Sequence, residues 1–137
     1  MAKRKRIIRR KIKSCKLPIA KLQRKLWVYC RMVVRKIYGN ECYTCSSKNL
    51  EGRNWQTGHL IPKATCGAYL KYDIRVLRPQ CSNCNIWNGG RGADFLKNMI
   101  EREGQEYVDK IFQDRNLIIK PYDRYMELLE NYKKILS

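Results

Sequence analysis

Two pairs of cysteines constrain this chain more than any other feature. Cys42 and Cys45 form one CxxC pair, Cys81 and Cys84 form the other, and 35 residues lie between them. An interval of two residues lets both thiolates of a pair reach one tetrahedral ion at about 2.3 Å. Four soft sulfur ligands with no open position are typical of structural zinc, whereas a redox dithiol needs one such pair beside a βαβ unit. The pattern therefore predicts a structural zinc site.

The segment that carries these cysteines, residues 41–92, has little apolar material of its own. It is rich in Gly, Asn, Cys and Ser, with short strand-like runs at residues 55–61 and 74–77. We therefore expect zinc binding to hold this segment folded. Three cysteines remain: Cys15, Cys30 as a buried small hydrophobe, and Cys66, which is either a spare ligand or, as we favour, a bystander.

Charge is distributed very unevenly along the chain. Residues 1–40 hold fifteen Lys and Arg and no Asp or Glu, and they account for most of the net charge of +18. A tail that serves only solubility works as well with mixed signs, so this one indicates a nucleic-acid partner. We expect residues 1–17 to be a basic arm that is disordered when free. The sequence shows no membrane span and no signal peptide, so we expect a cytoplasmic protein, in the host cytoplasm if a phage encodes it.

An amphipathic helix is predicted over residues 18–40, because apolar residues recur there every three or four positions. Pro18 suits its start, and Gly39 with Asn40 suits its end. Basic residues lie off the apolar stripe, so this helix is predicted to lie against a phosphate backbone. The predicted stripe consists of Ile19, Leu22, Leu26, Cys30, Val33 and Ile37.

Helical periodicity returns after Ala93 and is interrupted at Gly104. A last amphipathic helix is predicted from about Pro121 to Leu136, within a terminal segment of residues 116–137. Residues 41–115 would then form a zinc module with C-terminal helices. The expected fold class is α+β, with Trp55 and Trp87 in core packing rather than base stacking.

The chain contains a single histidine, His59, at the end of an apparent strand between the two cysteine pairs. Phosphodiester hydrolysis at neutral pH needs a base to deprotonate water and a cation to stabilise the departing oxygen. Histidine suits the first task. Asn85 follows the last cysteine, and Asn88 lies one turn later; their amide oxygens suit Mg²⁺ or Mn²⁺, although capping and turn formation are the plainer roles. A zinc-stapled hairpin with His packed on a helix with Asn is a ββα-metal site.

These residues together resemble the HNH endonucleases, and in particular the lambdoid-phage NinG (Rap) recombination nucleases. The likeness spans residues 22–115 and includes both cysteine pairs, Gly58-His59, residues 70–75, Pro79-Gln80, Asn85 and the stretch 104–109. The resemblance implies a treble-clef HNH core, His59 as general base, and Asn85 in the last HNH position as a ligand of the catalytic ion. It also implies a DNA substrate that is branched, such as Holliday junctions or D-loops.

Two departures from the family pattern bear on activity. Family members usually carry Asn where this chain has Val76, so the hydrogen bond that normally steadies the histidine loop is either missing or comes from elsewhere, with Asp73 as one candidate. Gly58 stands where many HNH enzymes have a carboxylate or imidazole ligand, so metal binding is expected to be weak or assisted. The alternative is a catalytically lapsed, zinc-stabilised nucleic-acid-binding protein. A homing or restriction enzyme would need a sequence-reading module for which the chain has little room.

The predicted partner is DNA, with no membrane contact. Because a junction resolvase must cut two strands, a homodimer through the helix from Pro121 is a further hypothesis. The residues predicted to contact nucleic acid are Lys3, Arg4, Lys5, Arg6, Arg9, Arg10, Arg24, Lys25, Arg31, Arg35, Arg75, Arg78 and Arg91.

Overall fold

The computed structural model describes residues 16–137, so residues 1–15 of the predicted basic arm, with its six site residues from Lys3 to Arg10, lie outside the described part. Helices and one small antiparallel sheet make up the described fold, which is mixed α+β as predicted. Short turns of 3-10 helix lie at Gly52–Asn54 and Ile74–Val76, and one turn of π-helix lies at Asn83–Trp87. The helices and strands are α1 (Ile19–Tyr38), β1 (Gln56–His59), α2 (Gly67–Leu70), β2 (Leu77–Gln80), α3 (Gly92–Glu103), α4 (Gln105–Asp114) and α5 (Pro121–Leu136).

Helix α1 begins after Pro18, whose extended backbone (ψ 145°) suits a helix entrance, and ends at Gly39, whose φ of 74° favours glycine. The middle of the predicted apolar stripe is buried. Its two ends are not: Ile19 and Ile37 are about half exposed, and Val34 is buried instead. The prediction failed at the ends because the side chains of Ile19 and Ile37 are left largely uncovered by the rest of the fold.

That partner is α5, which makes the most extensive helix contact with α1. The buried residues of α5 are Arg124, Tyr125, Leu128, Leu129 and Tyr132. A polar contact joins the same helices at their ends, where the Lys36 ammonium donates to the carbonyl of Ile135 at 2.8 Å. Since α1 of the same chain covers the apolar face of α5, that face is not free for the dimer contact predicted there. The homodimer itself stays a hypothesis.

The sheet is a hairpin-like pair in which β1 runs antiparallel to β2, with Gln56 opposite Gln80 and His59 opposite Leu77. The second strand begins later than the sequence indicated. Residues 74–76 form a 3-10 turn because the Asp73 carboxylate accepts the backbone N–H of Arg75 at 2.9 Å and so caps the turn. The β pairing therefore places His59 at the far end of β1, beside the start of β2.

Asp73 also joins this turn to α5. Its carboxylate forms ion pairs at 2.9 Å with Arg75 and with Arg124, and all but 6% of the residue is buried. Arg124 also donates to the carbonyl of Tyr69 at 3.0 Å. A buried ion pair is costly unless its remaining hydrogen-bonding groups are satisfied, and here both partners have several further bonds. Asp73 therefore links elements of the fold.

None of the helices within residues 16–137 is both long enough and apolar enough to cross a bilayer.

Candidate metal centre and active site

The four cysteines of the two CxxC pairs converge, as predicted. Their Sγ atoms all lie within 4.8 Å of one another, and those of Cys45 and Cys81 are 3.7 Å apart. Four sulfurs at about 2.3 Å from a tetrahedral zinc lie about 3.8 Å apart, so the cluster fits that ion. The described residues contain no other cluster of three or more His, Cys, Asp or Glu with this spacing. Cys66 is buried elsewhere, where its thiol donates to backbone carbonyls.

Hydrogen-bond donors surround these sulfurs. The hydroxyl of Ser47 lies 3.0 Å from Cys45 Sγ, the backbone N–H of Cys84 lies 3.4 Å from Cys81 Sγ, and the Arg91 guanidinium lies 3.9 Å from Cys84 Sγ. Four thiolates around Zn²⁺ carry a net charge of −2, so donors and a nearby cation stabilise the centre. The sequence analysis predicted that Arg91 contacts nucleic acid. In the structure its guanidinium also has a structural partner, the sulfur of Cys84.

The sheet holds this centre through β2. The backbone N–H of Tyr43 donates to the carbonyl of Pro79 at 2.8 Å, next to the first cysteine of the cluster. The buried side chain of Gln80 donates to Thr44 Oγ1 at 3.0 Å and to the carbonyl of Gly90 at 2.9 Å. One side chain thus connects the first cysteine pair to the loop that follows the second pair. A metal bound by the cysteines would fix the position of that loop.

His59 and Asn85, the two residues on which the sequence prediction depended most, line one pocket of about 220 Å³. The strand β1 delivers the first, and the π-helical turn after the second cysteine pair delivers the other. No carboxylate lines this pocket among the described residues. The complete lining is His59, Leu60, Pro62, Lys63, Asn85, Gly89, Gly90 and Gly92.

The imidazole of His59 is held by its Nε2 atom, which lies 3.1 Å from the carbonyl oxygen of Lys71. A carbonyl can only accept, so this bond requires the proton on Nε2 and leaves the Nδ1 lone pair free. The ring also stacks on Trp27, with centroids 5.6 Å apart and planes 14° apart. Lys71 and Trp27 therefore orient the His59 ring, a task that the sequence analysis assigned to an asparagine absent from this chain, where Val76 stands. The carbonyl of Val76 accepts the N–H of Leu60 at 2.8 Å and steadies the adjoining backbone.

Burial lowers the pKa of His59 to about 4, and the charges of Lys63 and Lys71 act in the same direction. The hydrogen bond to the Lys71 carbonyl opposes them because it favours the protonated ring. His59 is therefore neutral at pH 7, with a ring nitrogen able to accept a proton. A base with so low a pKa is always in its active form but is intrinsically weak.

The amide of Asn85 is oriented by a chain of two hydrogen bonds. Gln56 Nε2 donates to the carbonyl of Arg53 at 3.1 Å, which points Gln56 Oε1 towards Asn85. Asn85 Nδ2 then donates to that oxygen at 2.8 Å. Asn85 Oδ1 accepts no hydrogen bond from the described residues, so it is available to a ligand. This is the orientation that a metal-binding or water-binding amide oxygen needs.

Lys63 is a pocket residue that the sequence reasoning missed. Its ammonium lies 5.0 Å from the centroid of the Trp27 ring, the ring on which His59 stacks, and 5.7 Å from that of Tyr72. Such cation–π contacts hold an ammonium without neutralising it. The signal was present in the sequence, since Lys63 follows His59 by four residues in the same loop.

Gly58 explains why the pocket has no carboxylate from the hairpin. A Cβ atom built on Gly58 would lie 1.8 Å from Gln80 Oε1, an impossible contact, so any larger residue would displace the buried Gln80 side chain. Because Gln80 connects the cysteine centre to the Gly90 loop, a carboxylate or imidazole at position 58 is incompatible with this interior.

The structure does not bring two other predicted site residues into the pocket lining. Asn88 Nδ2 donates to the carbonyl of Asn83 at 2.8 Å, within the π-helical turn, which is the plainer, turn-forming role. The described hydrogen bonds of Asp73 go to Arg75 and Arg124, so the bond that holds His59 comes from Lys71 and not from Asp73.

The predicted nucleic-acid contacts separate into two groups. On α1, Arg24, Lys25, Arg31 and Arg35 are exposed, as a phosphate-binding surface requires. The prediction for Arg78 is wrong. Its side chain is fully buried, donates to the carbonyls of Ile74, Arg75 and Leu77, and lies 4.0 Å from the centroid of the Tyr38 ring. Arg75 forms ion pairs with Asp73 and Asp114 and is largely occupied by them.

The two tryptophans predicted to lie in the core also differ. Trp55 is only 4% exposed, and its indole N–H donates to the carbonyl of Gly39 at 3.0 Å, so its assignment to the core is confirmed. Trp87 is 80% exposed, so the same assignment is wrong. The π-helical turn projects Trp87 away from the core.

Sequence comparisons place the chain among phage proteins. The family model described as "Bacteriophage Lambda NinG protein" matches residues 2–137. Proteins called "Protein ninG" are 34% identical over 71 residues in Enterobacteria phage H19B, 32% over 75 in Escherichia phage 933W and 31% over 75 in Escherichia phage lambda. These matches cover 52% to 55% of this chain but only 35% to 36% of the relatives' own lengths. No solved structure matches significantly. Since the family model spans nearly the whole chain, the protein belongs to the NinG family.

Proposed function

We propose that this protein is a metal-dependent DNA endonuclease of the HNH type, which hydrolyses phosphodiester bonds in branched recombination intermediates such as Holliday junctions or D-loops. The observation that carries the proposal is the pocket in which a neutral imidazole, a free amide oxygen and an ammonium meet. On this interpretation, the hairpin, the cysteine cluster and the π-helical turn together form a treble-clef ββα-metal core. The preference for branched DNA rests on family resemblance alone.

In the proposed reaction, His59 is the general base. Its Nδ1 atom takes a proton from a water molecule, and the water oxygen forms a bond to phosphorus. The bond from phosphorus to the 3′ oxygen breaks, and that oxygen leaves with a proton from solvent, which gives a 3′ hydroxyl and a 5′ phosphate. The Lys71 carbonyl stabilises the imidazolium that forms, because it accepts from Nε2 at 3.1 Å.

Lys63 would stabilise the negative charge that develops on the phosphate oxygens. Its ammonium lines the same pocket and is held at the Trp27 ring without a carboxylate partner among the described residues. A cation aimed at developing charge stabilises the transition state, and because Lys63 is itself exposed, the water around it would have to be displaced by the bound DNA. A pocket without carboxylates places more of this task on Lys63 than a carboxylate-rich site would.

The divalent ion of the proposal, Mg²⁺ or Mn²⁺, finds few ligands in the pocket. Asn85 Oδ1 is a suitable oxygen, but Mg²⁺ sites ordinarily include one or two carboxylates together with substrate phosphates. The residues present therefore fit an ion only when phosphate oxygens of the DNA complete its coordination. When bound, such an ion supplies positive charge beside the departing oxygen.

The missing carboxylates also favour one alternative: a zinc-stabilised DNA-binding protein without turnover. Purified, zinc-loaded protein incubated with linear and branched DNA in Mg²⁺ or Mn²⁺ discriminates the two functions. We expect metal-dependent nicking that His59→Gln reduces by about 10² to 10⁴ in rate, the usual range for general acid–base catalysis, with binding retained. Glutamine can still donate to the Lys71 carbonyl.

A matched control is Gln113→Ala, which alters an exposed amide on α4. Tight DNA binding with no cleavage by the wild type would establish the alternative. Cleavage by His59→Gln at the wild-type rate would refute the assignment of the base.

A further inference from the structure

Apolar side chains are exposed along one side of α1, interleaved with arginines. Val28 is 52% exposed and Met32 is 50% exposed, one helical turn apart. With Arg31, Arg35 and Trp55 they line a groove on the surface. Exposed apolar residues scattered singly need no explanation, but a contiguous row marks a contact surface.

A second groove continues the first. Arg31 and Trp55 line both, and the second extends past Arg53 to Ile86, which is 57% exposed. We call the two together the arginine channel. Three arginines line it, and no carboxylate does so among the described residues. Trp87 follows Ile86 at one end of the channel.

The arginine channel leads to the candidate active site. Gln56 lines the channel, and its Oε1 atom accepts the 2.8 Å hydrogen bond from Asn85, which lines the His59 pocket. The wall between the channel and the pocket is thus one pair of amide side chains. A strand that leaves the channel across this pair of side chains would enter the pocket.

The composition of the channel identifies its ligand class. Three unneutralised arginines call for a polyanion, since guanidinium groups match phosphate. The Arg35 guanidinium also lies 5.0 Å from the Trp55 ring centroid, a contact that limits its freedom. A DNA duplex presents phosphates and hides its bases within the stack, so it leaves the apolar residues without a partner. An unpaired strand supplies phosphates for the arginines and base faces for Val28, Met32 and Ile86.

We infer that the arginine channel binds an unpaired DNA strand that leads into the His59 pocket. This inference rests on the proposed function for the identity of the substrate, and it adds which part of a branched molecule the protein grips. In this arrangement the phosphodiester in the pocket lies next to a single-stranded segment.

The test compares binding of a fluorescein-labelled dT12 strand with that of a hairpin duplex. Zinc-loaded protein is used with no Mg²⁺ or Mn²⁺ added, so that the zinc module stays folded and the proposed cleavage does not occur. The double variant Met32→Ser/Ile86→Ser keeps every arginine. We expect it to bind dT12 about tenfold or more weakly, since two apolar side chains that the bases would cover are lost, while duplex binding changes by less than about twofold. The matched control is Ile118→Ser, which removes an apolar side chain that is 99% exposed outside the channel.

Several outcomes would overturn the inference. They are unchanged dT12 binding by the double variant, an equal loss for strand and duplex, or wild-type protein that does not bind dT12. A wild-type dimer in sedimentation that the double variant converts to a monomer, without loss of DNA binding, would assign the channel to a second copy of the chain. If the wild type still cleaves branched DNA with Mg²⁺ or Mn²⁺ in any of these cases, the proposed function survives and only the channel inference fails. If it neither binds nor cleaves any DNA, both fail.

Discussion

The buried imidazole of His59 predicts a specific dependence of stability on pH. The pKa of this group is about 4 in the folded protein, against the ordinary value of 6.5 that applies to the unfolded chain. Between these two values the unfolded chain takes up a proton that the folded protein does not. The free energy of unfolding therefore falls as the pH drops through this window. The contribution of His59 to it is fully present above pH 6.5.

The magnitude follows from the two pKa values. Between pH 7.5 and pH 5, the differential protonation of this one largely buried group amounts to about 2 kcal/mol. Other groups, including the metal-binding thiolates, also titrate, so measurements on the wild type alone do not isolate the contribution of His59. His59→Gln shares all those groups and lacks only the imidazole.

Urea unfolding of both proteins at the two pH values gives the required difference. We expect the wild type to lose about 2 kcal/mol more than His59→Gln on acidification. Because the chain has one histidine, its imidazole proton resonance also reports the pKa directly by NMR. An equal loss in both proteins, or a titration midpoint near 6.5 in folded protein, would refute the reasoning from burial.

Three further predictions concern other parts of the molecule. Cys81→Ser should lose tightly bound zinc and unfold the zinc module, which metal analysis and circular dichroism can measure. Cys66→Ser, outside the cluster, should keep its zinc, and a folded, zinc-free wild type would contradict this prediction. Deleting residues 1–16 should weaken DNA binding. It should also flatten the slope of log binding constant against log salt concentration by about 0.9 for each phosphate that the arm neutralises, so an unchanged slope would mean that the arm does not contact DNA. Lys63→Gln should lower the cleavage rate by about 10² and raise the pKa of His59, because a positive charge leaves its surroundings; if neither changes, Lys63 does not act on the pocket.

Local sequence spacing was enough to predict the features that depend on neighbours along the chain. The two CxxC pairs identified the cysteine cluster, and the 3-4 periodicity identified the buried centre of α1. His59 and Asn85 were predicted from their positions relative to the cysteines, and the structure brings both into one pocket. Within each CxxC pair, and for Asn85 beside Cys84, the geometry follows from a few covalent steps. His59 lies 14 residues from Cys45, and its prediction depended on the chemistry of phosphodiester hydrolysis and on the family resemblance.

Contacts between distant segments were out of reach of that reasoning. Asp73 was predicted near the histidine, but its partner Arg124 lies 51 residues further along the chain. Arg78 was predicted to meet phosphate, although it lies in β2, whose four residues are all buried. Backbone carbonyls, tyrosine rings and the Glu103 carboxylate at 3.6 Å compensate its charge there. Trp87 was assigned to the core because tryptophan usually packs, whereas the π-helical turn after the cysteines directs it outwards.

The same buried, cationic surroundings bear on how the proposed nuclease would be switched on. In the free protein, desolvation and two lysines hold the pKa of His59 near 4, which makes it a weak base. A phosphodiester in the pocket brings negative charge close to the ring, and nearby negative charge raises the pKa of a histidine. The same phosphate would supply the anionic ligands that the pocket lacks. On the proposed function, binding of DNA would therefore improve both the base and the metal site, and catalytic competence in this pocket would depend on the substrate being in place.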